Sequence, residues 1–142
     1  MSENRRAFFD TNILVYAYDR SDSGKSNRSS DLVKAHWENQ SAATSLQVLQ
    51  EFLVTVATKI PKPLSFEDAV DVCRSYFSWD PVVTTQEIFV HACRLRHRYR
   101  WSFWDAAIVA QALASNCDAL YTEDLQHGFH VEDLRILNPF KE

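Results

Sequence analysis

A chain of 142 residues with 46% hydrophobic side chains and only two glycines is too apolar to be disordered and has the wrong composition for a collagen-like rod. It is long enough for one domain, residues 1–142, that buries roughly two-thirds of its unfolded surface without disulfides, and its three widely spaced cysteines, Cys73, Cys93 and Cys117, predict reduced thiols rather than a disulfide frame or zinc site. A net charge of −4 argues against a general nucleic-acid coat, which would be basic, but leaves room for an enzyme acting on nucleic acid, because a bound cation reverses the field around its acidic ligands.

Arg6 to Phe9 reads as a short strand ending in Asp10, and Ile13, Leu14, Tyr16 and Ala17 then recur at helical spacing. Asp22 to Ser30, polar with a single Gly24, reads as a loop leading into an amphipathic helix from about Asp31 to Glu38. Ala42 to Thr44 predicts a second strand. Thr44 with Gln47 forms a capping box for a helix carrying Leu49, Phe52, Leu53, Val56 and Ile60, with Glu51 on the edge of that stripe. Pro61 and Pro63 stop it, and Ser65 starts a helix through Ala69, Val72, Cys73, Tyr76 and Phe77. Pro81 to Thr84 predicts a third strand, and Thr84 with Glu87 caps a helix of Ile88, Ala92, Leu95 and Tyr99. Ser102 with Asp105 opens a helix bearing Ala106, Ile108, Val109, Ala112 and Leu113. Ala119 to Tyr121 and Leu134 to Leu137 complete the strands, and Asn138-Pro139 closes the pattern. Strands alternating with helices predict a three-layer α/β/α domain with a parallel sheet of about five strands. No apolar run approaches the ~18 residues of a membrane span. Met1 to Phe9 lacks the apolar core of a signal peptide, so the expected location is cytoplasmic.

Asp10, Glu51, Asp105 and Asp124 all fall where a strand ends or a helix begins, positions that gather along one crevice of an open α/β sheet. Like charges at such distances push one another toward protonation unless a cation joins them, and oxygen-only ligation with room for water and phosphate suits Mg²⁺ or Mn²⁺. Each acid also has a plainer reading. Asp10 or Asn12 can cap the helix near Ile13, Glu51 can be a solvated edge residue, Asp105 can be the third helical residue of a capping box, and Glu123 and Asp124 can be acids favoured at a helix start. The five histidines lie apart from any nucleophile-like context, with His127 before Gly128 read as a turn residue. Arg94, Arg96, Arg98 and Arg100, interleaved with His97, Trp101 and Trp104, form the only basic and aromatic cluster. Arg94, Arg98, Arg100 and Trp101 are its candidates for gripping phosphates and stacking on an unpaired base, against a role in dipole compensation and core packing.

The segments Phe8-Phe9-Asp10-Thr11-Asn12, Gln50-Glu51-Phe52, Trp104-Asp105-Ala106-Ala107 and Tyr121-Thr122-Glu123-Asp124, followed by Gly128 and Asn138-Pro139-Phe140, resemble the PIN-domain family, especially its VapC-like ribonuclease toxins. The resemblance spans the chain. It implies that Asp10, Glu51, Asp105 and Asp124 form a Mg²⁺ or Mn²⁺ site with Asn12 and Thr122 as supporting polar groups. Glu123 stands directly before Asp124 as an alternative fourth acid. It also implies metal-dependent cleavage of RNA phosphodiesters, a small antitoxin covering the acidic cleft, and a homodimer. Two rival readings stay open: a non-catalytic binding module, and a phosphatase of the aspartyl-phosphate type, which needs a second aspartate where this chain has Asn12.

Overall fold

The computed structural model describes residues 5–141; of the expectation made for Met1 to Phe9, the part on residues 1–4 lies outside them. The chain alternates short buried strands with helices: β1 (Ala7–Phe9), α1 (Thr11–Tyr16), α2 (Ser23–Glu38), β2 (Ala42–Ala43) and α3 (Leu46–Thr58). There follow α4 (Phe66–Ser75), a 3₁₀ turn (Tyr76–Trp79), α5 (Gln86–Tyr99), α6 (Phe103–Ala114), β3 (Ala119–Tyr121), β4 (His130–Val131) and β5 (Leu134–Leu137). One five-stranded sheet runs in the order β2-β1-β3-β5-β4. Its β2-β1, β1-β3 and β3-β5 pairs are parallel, and only β4 runs antiparallel, against β5. β1 and β3 are apolar throughout because helices cover both faces, and Phe8, Phe9 and Leu120 are fully buried on them, as are Leu134 and Ile136 on β5, whose Arg135 is exposed.

The chain leaves β1 through α1 and α2 toward β2 on one side, then crosses back through α3 to α6 to reach β3 on the other. The carboxyl ends of β1 and β3 therefore flank the point where strand order reverses, the usual crevice of such sheets. Their register pairs Phe9 with Tyr121, so the next residues along, Asp10 and Thr122, emerge side by side. No helix among the described residues is long and apolar enough to cross a membrane.

Several local expectations are corrected. The helix expected from Asp31 begins at Ser23, capped by the Asp22 carboxylate, which accepts the Lys25 N–H at 3.1 Å. Its buried face is Ser26, Ser29, Leu32 and Val33, and a stripe whose first half is serine leaves no apolar periodicity to read. The strand expected at Pro81 to Thr84 shrinks to one bridge between Ser45 and Val82; Pro81 brings no N–H to a ladder, and Val83 points into solvent. Two caps fall one residue later than expected. Ser45 caps α3 and Thr85 caps α5, while the Thr44 hydroxyl is drawn to the Phe9 carbonyl on the neighbouring strand at 3.0 Å.

Candidate metal centre

Four separate elements deliver the four carboxylates to one cleft of about 510 Å³ at the carboxyl end of the sheet, lined among others by Asp10, Asn12, Gln47, Glu51, Trp104, Asp105 and Asp124. Asp10 follows β1 and caps α1, its Oδ1 accepting the Thr11 N–H at 2.7 Å. Its Oδ2 accepts the Thr122 hydroxyl at 2.7 Å, which the parallel register puts beside it. The same Thr122 Oγ1 accepts the Asp124 N–H at 3.1 Å, so one buried hydroxyl ties the first acid to the loop that carries the last.

Asn12 Nδ2 donates to Asp124 Oδ2 at 3.0 Å, which fixes the amide's orientation and leaves its Oδ1 buried without a partner. Thr11 Oγ1 donates to Glu51 Oε1 at 2.9 Å. Glu51 stands one helical turn beyond Gln47, whose Oε1 accepts from the fully buried Gln111 at 2.7 Å. Asp105 is held in the first turn of α6 by its own N–H bonding the Ser102 cap at 3.1 Å.

The cleft is predominantly anionic, with Asp10, Asp19, Glu51, Asp105 and Asp124 lining it beside Lys59. Asp10, 7% exposed, has its pKa pushed up from 3.8 to about 6. Burial is the main cause, the Thr122 and Thr11 hydrogen bonds oppose it, and the charges of Asp124 and Glu51 add to it. The Asp124 carboxyl is also raised, first by partial desolvation and then by the charges of Asp105, Glu123 and Glu51, against the Asn12 bond. Among the described residues, no three Asp, Glu, His or Cys side chains close on a single point as a ready-made cage. Mg²⁺ rarely uses such a cage, since it keeps several waters and takes one or two carboxylates plus substrate phosphate. An all-oxygen donor set, like charges whose repulsion a cation relieves, and an orphaned buried amide oxygen together fit a hard divalent ion.

Glu123 is turned to other partners. Its Oε1 accepts the Tyr16 hydroxyl at 2.5 Å and its Oε2 the Lys25 ammonium at 2.6 Å, with Lys25 also lying over the Tyr16 and Phe140 rings. Arg94, Arg98, Arg100 and Trp101 do not line the cleft. Trp101 stacks on Tyr99 at 4.7 Å and meets Phe129 edge-on, Arg98 lies over the Tyr99 ring, and Arg100 ends α5 in a left-handed conformation. His127 accepts the Asn138 N–H at 2.9 Å in a turn.

The family model described as PIN domain matches residues 7–129. The chain belongs to the PIN-domain family. This PIN domain is also similar to a solved structure described as VapBC2 from Rickettsia felis bound to a DNA fragment from their promoter. Identity is 20%, with 92% of this chain and 96% of that one covered at a TM-score of 0.61, which establishes the common fold. No curated protein matches the sequence. Members of the family are generally nucleases that use divalent metal ions.

Sequence reasoning missed Thr11, Gln47, Gln111, Lys25 and Tyr16 as parts of the PIN domain's cleft and its margin. Only Lys25 left a usable signal: placing the Asp22 cap correctly puts it at the start of α2, within reach of the β3 loop. The others depend on contacts across 40 or more positions of sequence, or on a rim assembled by the sheet.

Proposed function

We propose that this PIN domain is a divalent-metal-dependent endoribonuclease and the toxin of a toxin–antitoxin pair, with Asp10, Glu51, Asp105 and Asp124 holding Mg²⁺ or Mn²⁺. The observation that carries the reading is that four carboxylates from four elements line one cleft at the reversal of strand order. Held there, a divalent ion would supply charge neutralisation for a phosphate oxygen and would lower the pKa of a bound water. The chain's own residues prepare the site. Thr11 and Thr122 hold both Asp10 oxygens, Asn12 holds Asp124, Thr11 steadies Glu51, and the α6 cap presents Asp105.

The Rickettsia felis structure that shares the fold is of VapBC2, which supports an antitoxin partner here. An electronegative cleft of this kind attracts a cationic side chain, and an antitoxin guanidinium satisfying two carboxylates would occupy the position of the metal. A phosphatase of the aspartyl-phosphate type is not favoured, because Asn12 stands at the position its second aspartate requires and is engaged with Asp124.

The toxin reading is tested by expression. The wild type should arrest growth, Asp10→Asn should not, and co-expression of a small protein encoded immediately upstream should restore growth. Harmless high-level expression of a wild type that is folded and active on RNA in vitro would remove the toxin claim and leave the nuclease.

A further inference from the structure

Trp104 is the most exposed aromatic that lines the acidic cleft, at 63%. It directly precedes Asp105, while the other three tryptophans are buried or half-buried. Its ring meets Phe103 edge-to-face at 5.4 Å, and Phe103 in turn meets Phe89, itself 52% exposed, at 5.8 Å. The three rings make a continuous strip that starts among the carboxylates and leads out over α5. Arg96, exposed and two turns beyond Phe89 on the same helix face, marks its far end.

Leaving an indole and a phenyl ring in water sacrifices hydrophobic stabilisation that a core position would supply. A planar ligand stacking on them recovers it. An apolar strip bounded at one end by a phosphate-seeking metal site and at the other by a guanidinium matches a nucleic-acid strand with splayed bases. An apolar protein face does not carry that alternation of flat rings and anions.

Resting on the nuclease reading of the same cleft, we propose that Trp104, with Phe103 and Phe89 beyond it, is a base-stacking platform that selects unpaired RNA and seats the nucleotide next to the scissile phosphate. Bases in a duplex are already stacked on their neighbours and cannot use it. The role assigned to Trp101 on sequence grounds passes to Trp104, because Trp101 is half-buried and its ring is already stacked on Tyr99.

The test is fluorescence anisotropy of a labelled twelve-nucleotide oligouridylate, titrated with full-length protein in Ca²⁺. The same strand with abasic sites and the same length of duplex RNA are run alongside, and cleavage in Mn²⁺ is measured in parallel. Trp104→Ala should weaken single-strand binding roughly 5- to 150-fold, the range for loss of one stacked base. Trp104→Phe should keep most of the affinity, and abasic and duplex RNA should bind both proteins alike. Circular dichroism and size exclusion report folding and assembly. Equal single-strand affinity of wild type and Trp104→Ala, with Mn²⁺-dependent cleavage intact, would overturn the platform and leave the nuclease. A changed oligomeric state with unchanged RNA affinity would overturn it in favour of a protein interface. A wild type that neither binds nor cleaves RNA with any divalent ion would remove the nuclease reading and the platform with it.

Discussion

Asp10→Asn trades a buried charge for a neutral isostere and should stabilise the metal-free protein while abolishing catalysis. Burial, aided by Asp124 and Glu51 and opposed by Thr122 and Thr11, lifts the Asp10 pKa from 3.8 to about 6. At pH 7 the folded state therefore carries an ionised carboxylate at a cost of about 3 kcal/mol relative to the unfolded chain. Asparagine removes that cost and can still accept the Thr11 N–H. Its amide nitrogen must then face Thr122 Oγ1, which loses its acceptor, a penalty of about 1 kcal/mol. The net expectation is a gain of about 2 kcal/mol. The sign depends on pH. A raised carboxyl pKa leaves the wild type unpenalised below 3.8, and its stability then falls as pH rises through about 6. The advantage of the variant should thus grow across that window, vanish at about pH 4.5 and reverse below it, where only the penalty at Thr122 remains. Urea unfolding with a chelator, followed by circular dichroism at a series of pH values, measures it. Saturating Mn²⁺ should raise the stability of the wild type, by about 3 kcal/mol at a hundred times the dissociation constant, and do little for the variant. A difference that stays constant with pH, or a variant less stable than wild type at pH 7, would refute this account of Asp10.

Thr122→Val removes the hydroxyl that bonds both Asp10 Oδ2 and the Asp124 N–H, and should cost about 1–3 kcal/mol of stability and weaken Mn²⁺ binding by calorimetry; unchanged values for both would detach Thr122 from the site. Asp124→Asn should reduce Mn²⁺-dependent cleavage far more than Glu123→Gln, because Glu123 is held by Lys25 and Tyr16; equal losses would put Glu123 among the metal ligands. Changing Arg94, Arg98 or Arg100 to Ala should each lower the single-strand log–log salt slope by roughly 0.7 if the residue contacts phosphate, and an unchanged slope in all three returns the cluster to a structural role on α5.

What could be read from the sequence was whatever depends on near neighbours. The apolar run before Asp10, the Ser102 cap three residues before Asp105, and the apolar β3 before Thr122 each carry their own local signature, and together they locate the rim of the sheet. What could not be read there depends on distant partners. Thr44 looks like a cap but bonds the neighbouring strand, so the cap moves to Ser45. The first half of α2 hides because its buried face is serine. The arginine cluster runs together in sequence, yet helical geometry fans its side chains around α5, and none reaches the cleft. Trp101 and Trp104 are three residues apart and alike as residue types, and only packing separates the stacked ring from the open one.

The central claim is that the four carboxylates hold a divalent ion that cleaves RNA, and the most direct measurement is cleavage of a single-stranded RNA pool by purified protein with Mn²⁺ and with a chelator. The account predicts cleavage by the wild type in Mn²⁺, none in chelator, and none under either condition by Asp10→Asn or Asp105→Asn, both folded. Folded variants that keep wild-type turnover, or cleavage that persists in chelator, would contradict it.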